Sequence, residues 1–248
     1  MGMDRGENMS VHYDALAINR NMALDLPFRE GIGTITHSLA KTKPLVTIVD
    51  VGGVWTTLDS YLNVLTLNGA NDYLWASAAD TTLLDFTNTD YSVGGWFRID
   101  SGGDDDKTLM SRFLLSNTGW EMYHYTTLTL QMRHHHISLA PNLRTSAYSH
   151  GWAYGNWYFM GFSRLQATQS AIFYRGDVAG NFNALTTICN GGLLDPDSCA
   201  VNLNIGRSPA NINHNKGGLW RPRAWFERAL TEAEWKQIWE KEVEWFRS

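Results

Sequence analysis

The sequence predicts an all-β domain, sandwich or barrel, closed by one amphipathic helix at its C-terminus. Two observations carry this. Short apolar or alternating runs follow one another from about residue 45 to residue 207, each ended by Gly, Asn or Asp. Clear helical periodicity is confined to the stretch after Thr231. A chain of 248 residues suits one large all-β unit, and 44% hydrophobic against 18% charged residues is a globular composition.

Residues 1–23 are polar and weakly patterned and read as an N-terminal arm, with a short helix around residues 13–18 as the other reading. Residues 24–248 contain no linker and no repeat, so they read as one domain. Strands are expected at residues 45–51, 63–67, 72–77, 91–99, 107–114, 119–125, 127–133, 156–164, 170–176 and 201–207. Between residues 157 and 163 both faces are apolar, as in a strand held between two layers. A turn at residues 68–72, close before Trp75, joins two strands, because Gly accepts positive φ and Asn and Asp bond their own backbone. Thr231 and Glu234 form a capping box, followed by Trp235, Ile238, Trp239, Val243 and Phe246 as one apolar stripe. The charges at Glu240, Lys241, Glu242 and Glu244 read as its solvated face.

A net charge of −5 and a pI near 5.9 argue against nucleic acid or anionic membrane as a partner. No run is long enough to span a membrane, and the first residues lack the apolar stretch of a secretory leader. Cys189 and Cys199 flank a loop, and a bridge or two reduced thiols are both open. Glycoside hydrolysis requires two carboxylates across one bond. Between Lys107 and Asp177 the only carboxylate is Glu121, which argues against an enzyme. Serine-triad, phosphate-loop and dinucleotide signatures are absent. In the run of residues 133–136, His134 and His136 share one strand face, yet two imidazoles without a third ligand make no selective metal site.

Several landmarks stand in a telling order: residues 24–28 with Glu30, Gly31, Gly33 and Thr34; residues 67–73; residues 91–97; residues 156–158 and 172–176; and residues 204–207 with 228–234. Together they resemble the laminin G-like, concanavalin A-like jelly rolls over about residues 24 to 240. The resemblance implies a two-sheet antiparallel jelly-roll sandwich. Members that hold calcium near the 68–72 turn use an Asp where this chain has Asn68, and acidic residues where it has Trp220 and Arg221. Only a weak calcium site at Asn68 and Asp72 is therefore implied, and no other cofactor. Leaderless, cysteine-poor domains of this kind resemble modules carried on phage virions, which implies a non-catalytic structural protein located on a virion, with protein partners in a homo-oligomer or virion lattice. Its docking anchors would be Met9, Tyr13, Leu16 and Ile18. The alternative is a lectin module of a secreted or cell-surface protein. Such a module would bind glycan through Trp120, Tyr123, Trp152 and Tyr154 with Arg133, His134 and His136. A glycan-cleaving enzyme comes third.

Overall fold

A computed structural model describes residues 16–50, 54–114, 117–125, 129–137, 143–149, 151–186, 188–189 and 192–247, without the side chains of 143–149, 186, 188 and 189. The chain opens with β1 (Met22–Asp25), β2 (Ile35–His37), β3 (Leu45–Val49), β4 (Trp55–Thr57), β5 (Asn63–Asn68) and β6 (Tyr73–Ala76). It continues through β7 (Tyr91–Ile99), β8 (Lys107–Leu114), β9 (Thr118–Tyr125), β10 (Thr129–His135) and β11 (Leu143–Ser149). Then come β12 (Trp157–Leu165), β13 (Ser170–Asp177), β14 (Phe182–Thr186), β15 (Ile188–Cys189), β16 (Leu203–Ile205) and β17 (Lys216–Phe226). Helix α1 (Glu232–Glu242) and a 3-10 turn (Val243–Phe246) close the described chain.

The strands form two antiparallel sheets. The first runs β14-β13-β12-β7-β17-β5-β4, with β1 also on β17. The second runs β15-β11-β10-β9-β8-β16-β6-β3-β2. Alternate residues of each sheet meet in the middle, as Val93, Phe97, Phe162 and Leu219 do from the first and Leu74, Met110, Met122 and Ile205 from the second. The result is the expected jelly-roll sandwich with a single C-terminal helix.

The first sheet is also covered on its far side, which explains the two apolar faces of β12. Trp235 and Trp239 of α1 lie flat against β7, β12 and β13 because Gly161 and Gly176 leave them room. A Cβ on Gly161 would stand 2.7 Å from the Trp235 ring, and one on Gly176 would stand 2.4 Å from Trp239. The indole of Trp235 donates to Ser163 at 2.9 Å, and Phe246 stacks on Trp96 at 4.1 Å between centroids. Thr231 and Glu234 form the capping box expected of them.

Glu242 departs from the expected solvated face. It is 4% exposed and lies in a buried network. Its carboxylate accepts from Arg221 at 2.9 Å, from Arg223, and from the Trp96 indole at 3.1 Å. Arg221 also forms a two-pronged pair with the buried Asp25 at 2.9 and 3.0 Å. The bend that aims Arg221 inward is a β-bulge. The register of β17 against β7 shifts between Trp220 and Arg223, Arg221 takes φ +52°, and Pro222 sits where a ladder donor is not required. Gly217, Gly218 and Pro222 break the apolar pattern, so this 11-residue strand is not among those expected.

At the N-terminal side, β1 pairs with β17, and the indole of Trp225 donates to Ile18 O at 2.8 Å. Ile18 packs on the core and Leu16 is exposed, while Met9 and Tyr13 lie outside the described residues. Cys199 is a buried free thiol, and the side chain of Cys189 lies outside the described set.

Candidate functional site: an aromatic groove on the uncovered face of the second sheet

Strand alternation decides which side chains face outward from the second sheet. On β6, Leu74 and Ala76 point into the core, so Tyr73 and Trp75 point out and are half-buried. On β16 the inward residues are Leu203 and Ile205, leaving Asn204 outward between Trp75 and Ser111. On β8, Phe113 lies outside the central core cluster. The Tyr73, Trp75, Phe113, Leu114, Asn204 and Arg207 side of the sheet encloses a groove of about 370 Å3. Arg207, just after β16, lies over the Tyr73 ring with Cζ 3.3 Å from its centroid. Its fork is steered by two amide oxygens: Nε donates to Asn204 Oδ1 at 3.5 Å and Nη1 to Asn211 Oδ1.

Farther along the same face the side chains are closed in. Glu121 is fully buried. Thr108 donates to it at 2.7 Å and Arg133 pairs with it at 3.5 Å. Burial pushes its carboxyl up to about 7, against the Thr108 hydrogen bond and the Arg133 charge, which favour ionisation. Arg133 in turn covers Tyr123, with Cζ 4.0 Å from the ring centroid, and bonds its hydroxyl.

This burial has a measurable consequence. An acid whose folded-state pKa exceeds its unfolded one holds extra protons in the fold, so its stabilising contribution is complete below the unfolded value and is lost as pH rises through the folded one. Glu121→Gln keeps the shape and removes the titration. The variant should gain stability relative to the parent as pH rises from about 4.5 to about 7. Paired urea melts across that window check this, and a constant difference would contradict it.

The residues expected to bind from sequence are placed as follows. Trp120 is fully buried, stacked on Phe86 and donating to Leu84 O at 2.7 Å. Trp152 is 3% exposed, edge-on to Tyr158. Tyr123 is buried beneath Arg133, and Tyr154 is half exposed. His134 points inward, its ring nitrogens 2.6 Å from Tyr91 Oη and 2.6 Å from Leu194 O. His136 is buried. Burial holds His134 well below its ordinary range and lowers His124 and His135 to about 4, so these imidazoles are neutral near pH 7. The structure thus gathers none of these residues into the groove. Tyr73, Trp75, Asn204 and Arg207 were not among the sequence candidates. The available signal was the period of two in residues 72–77, which puts Tyr73 and Trp75 on one face.

The 68–72 turn does not fit calcium. Asn68 Oδ1 already accepts from the amides of Ala70, Asn71 and Asp72 at 2.8, 2.9 and 3.3 Å, and Asp72 Oδ2 accepts from the Asn68 amide. Calcium needs six or more oxygens with several carboxylates. The acidic loop at residues 104–106 borders a second depression of about 570 Å3, where Asp104 accepts from the His214 amide at 2.7 Å. Among the described residues no group of three or more His, Cys, Asp or Glu could hold a metal ion.

The fold is a two-sheet antiparallel jelly-roll sandwich, and solved structures share it. The chain is similar to the receptor binding domain of botulinum neurotoxin D, with 12% identity, a TM-score of 0.63 and coverage of 91% of this chain and 54% of that one. It is similar to the binding domain of botulinum neurotoxin DC in complex with SialylT, at 11% identity and TM-score 0.62, covering 91% and 52%. A third is the receptor binding domain of the mosaic serotype C/D toxin, with tetraethylene glycol bound on its Hcn sub-domain. It shares 14% identity and a TM-score of 0.63, covering 91% and 52%. The chain thus spans about half the length of these domains. No family model and no curated protein matches it.

These likenesses overturn the phage-virion expectation, and with it the virion as location and the virion lattice as partner. In the C-terminal helix and turn, Trp235, Trp239 and Phe246 pack on the chain's own sandwich, while Trp245 is 47% exposed.

Proposed function

We propose that this chain is a non-catalytic glycan-recognition module whose ligand lies in the groove beside β6. One observation carries the proposal: two aromatic side chains, Tyr73 and Trp75, stand on one strand face, flanked by an amide and a guanidinium in a concave, open site. Sugars present apolar C–H faces bordered by hydroxyls, so an amphipathic aromatic surface with a few convergent polar groups matches their chemistry. The groove offers nothing to cleave them with. Its described lining contains no carboxylate. Glu121 is buried, with its oxygens engaged by Thr108 and Arg133. Catalysis would need two carboxylates roughly 5–9 Å apart. The jelly-roll fold agrees with this reading, and so does the complex of one structural neighbour with SialylT, a chain of which the match covers 52%.

The reading is tested on a glycan array followed by titration of any oligosaccharide retained. Trp75→Ala should weaken that binding by at least about tenfold, since buried aromatic anchors dominate such contacts. Trp75 is only half-buried, so the variant should keep the fold. Retention undiminished in Trp75→Ala and Tyr73→Ala would place the ligand elsewhere.

A further inference from the structure

Resting on the proposed glycan site, we infer that the groove selects acidic sugars, with Arg207 receiving the carboxylate of a uronic or sialic acid residue. Several described arginines of the central strands are engaged from within. Arg112 donates to the carbonyls of Cys199 and Thr81, Arg133 pairs with Glu121, and Arg164 pairs with Asp195 and donates to the carbonyls of Thr89 and Leu193. Arg221 and Arg223 share Asp25 and Glu242.

Arg207 differs in lining the groove. Like Arg112 it makes no ion pair among the described residues, and it has only amide hydrogen bonds to Asn204 and Asn211 and the contact with Tyr73. It is also the one charged residue among the described lining of the groove. Its second terminal nitrogen, Nη2, has no hydrogen-bond partner among the described residues. Partial burial lowers its pKa, against the opposing influence of Tyr73.

A guanidinium held over an aromatic ring, with Nε and Nη1 fixed by amide oxygens, is pre-ordered to meet a planar carboxylate. With the Tyr73 ring carrying Arg207, the neighbouring Trp75 is the ring that would take the face of the sugar. An acidic pyranose would thus place its C–H face toward Trp75 and its carboxylate at Arg207, supplying the missing charge.

The test is calorimetric titration of the full chain with lactose, 3′-sialyllactose, a galacturonate oligomer and a sulfated lactose. At least one of the two carboxylated sugars should bind about tenfold or more tighter than lactose, with the preference weakening as salt is raised. Arg207→Gln should bring acidic and neutral ligands to within about twofold of each other. Arg207→Lys, which keeps charge but not the fork, should lose most of the preference, and it decides the matter should Arg207→Gln fail to fold. Lactose bound as tightly as the carboxylated sugars overturns this inference and leaves the lectin reading standing. Sulfated lactose preferred over both overturns the carboxylate assignment. No binding of any sugar here or on the array overturns both readings.

Discussion

Trp235→Ala should destabilise the domain by about 3–5 kcal/mol and lower its melting temperature by about 10 °C. Trp235 is fully buried between α1 and the first sheet. It meets Trp225 edge-on at 5.3 Å between centroids and Phe159 at 5.8 Å. The floor beneath it is Gly94 and Gly161, which have no side chains to move into the space left behind. The truncation therefore leaves a cavity that cannot collapse and deprives Ser163 of a hydrogen-bond donor. Thermal and urea unfolding of the variant measure the loss. A loss under about 1 kcal/mol would mean that the helix is an accessory layer whose removal the sandwich tolerates.

Glu242→Ala should cost about 3–5 kcal/mol, because it leaves the buried Arg223 and the partly buried Arg221 sharing Asp25 as their one carboxylate among the described residues. It also leaves the Trp96 indole without its acceptor. Glu244→Ala is the matched comparison two residues on. Its side chain is 69% exposed and pairs only with Arg247, so the change should fall within about 0.5 kcal/mol of zero. Equal effects at the two positions would contradict the network described for β1, β17 and α1.

That contrast shows where sequence legibility ends. The capping box and the apolar stripe of α1 are local signals, and the structure reproduces both. Glu242 and Glu244 look alike in the sequence because the partners of Glu242 come from β7 and β17, far off in the chain. Strand β17 was hidden for a related reason: the bulge that turns Arg221 inward requires residues that break an apolar run. The jelly-roll order itself was readable, since turns rich in Gly and Asn recur between strands.

The groove was less readable. Tyr73 and Trp75 follow the strand period, but Asn204, Arg207 and Phe113 join them only through the β8-β16-β6 pairing, which no local pattern announces. Trp120 and Trp152 illustrate the reverse error. An aromatic residue on a strand is written the same way whether it faces a sugar or a core, and pairing with Leu84 O and Tyr158 decides for the core.

The ligand is placed on the face of β6, and the indole protons of the 11 Trp residues offer a direct view of that location. In a two-dimensional 1H–15N spectrum, with Trp75 assigned by its Phe substitution, an oligosaccharide selected on the array should shift the Trp75 indole and the backbone amides around Tyr73, Asn204 and Arg207. The resonances of Trp96, Trp120, Trp225 and Trp235, all fully buried, should stay in place. Shifts clustered around Tyr154 or the loop at residues 104–106, with Trp75 unmoved, would contradict the site.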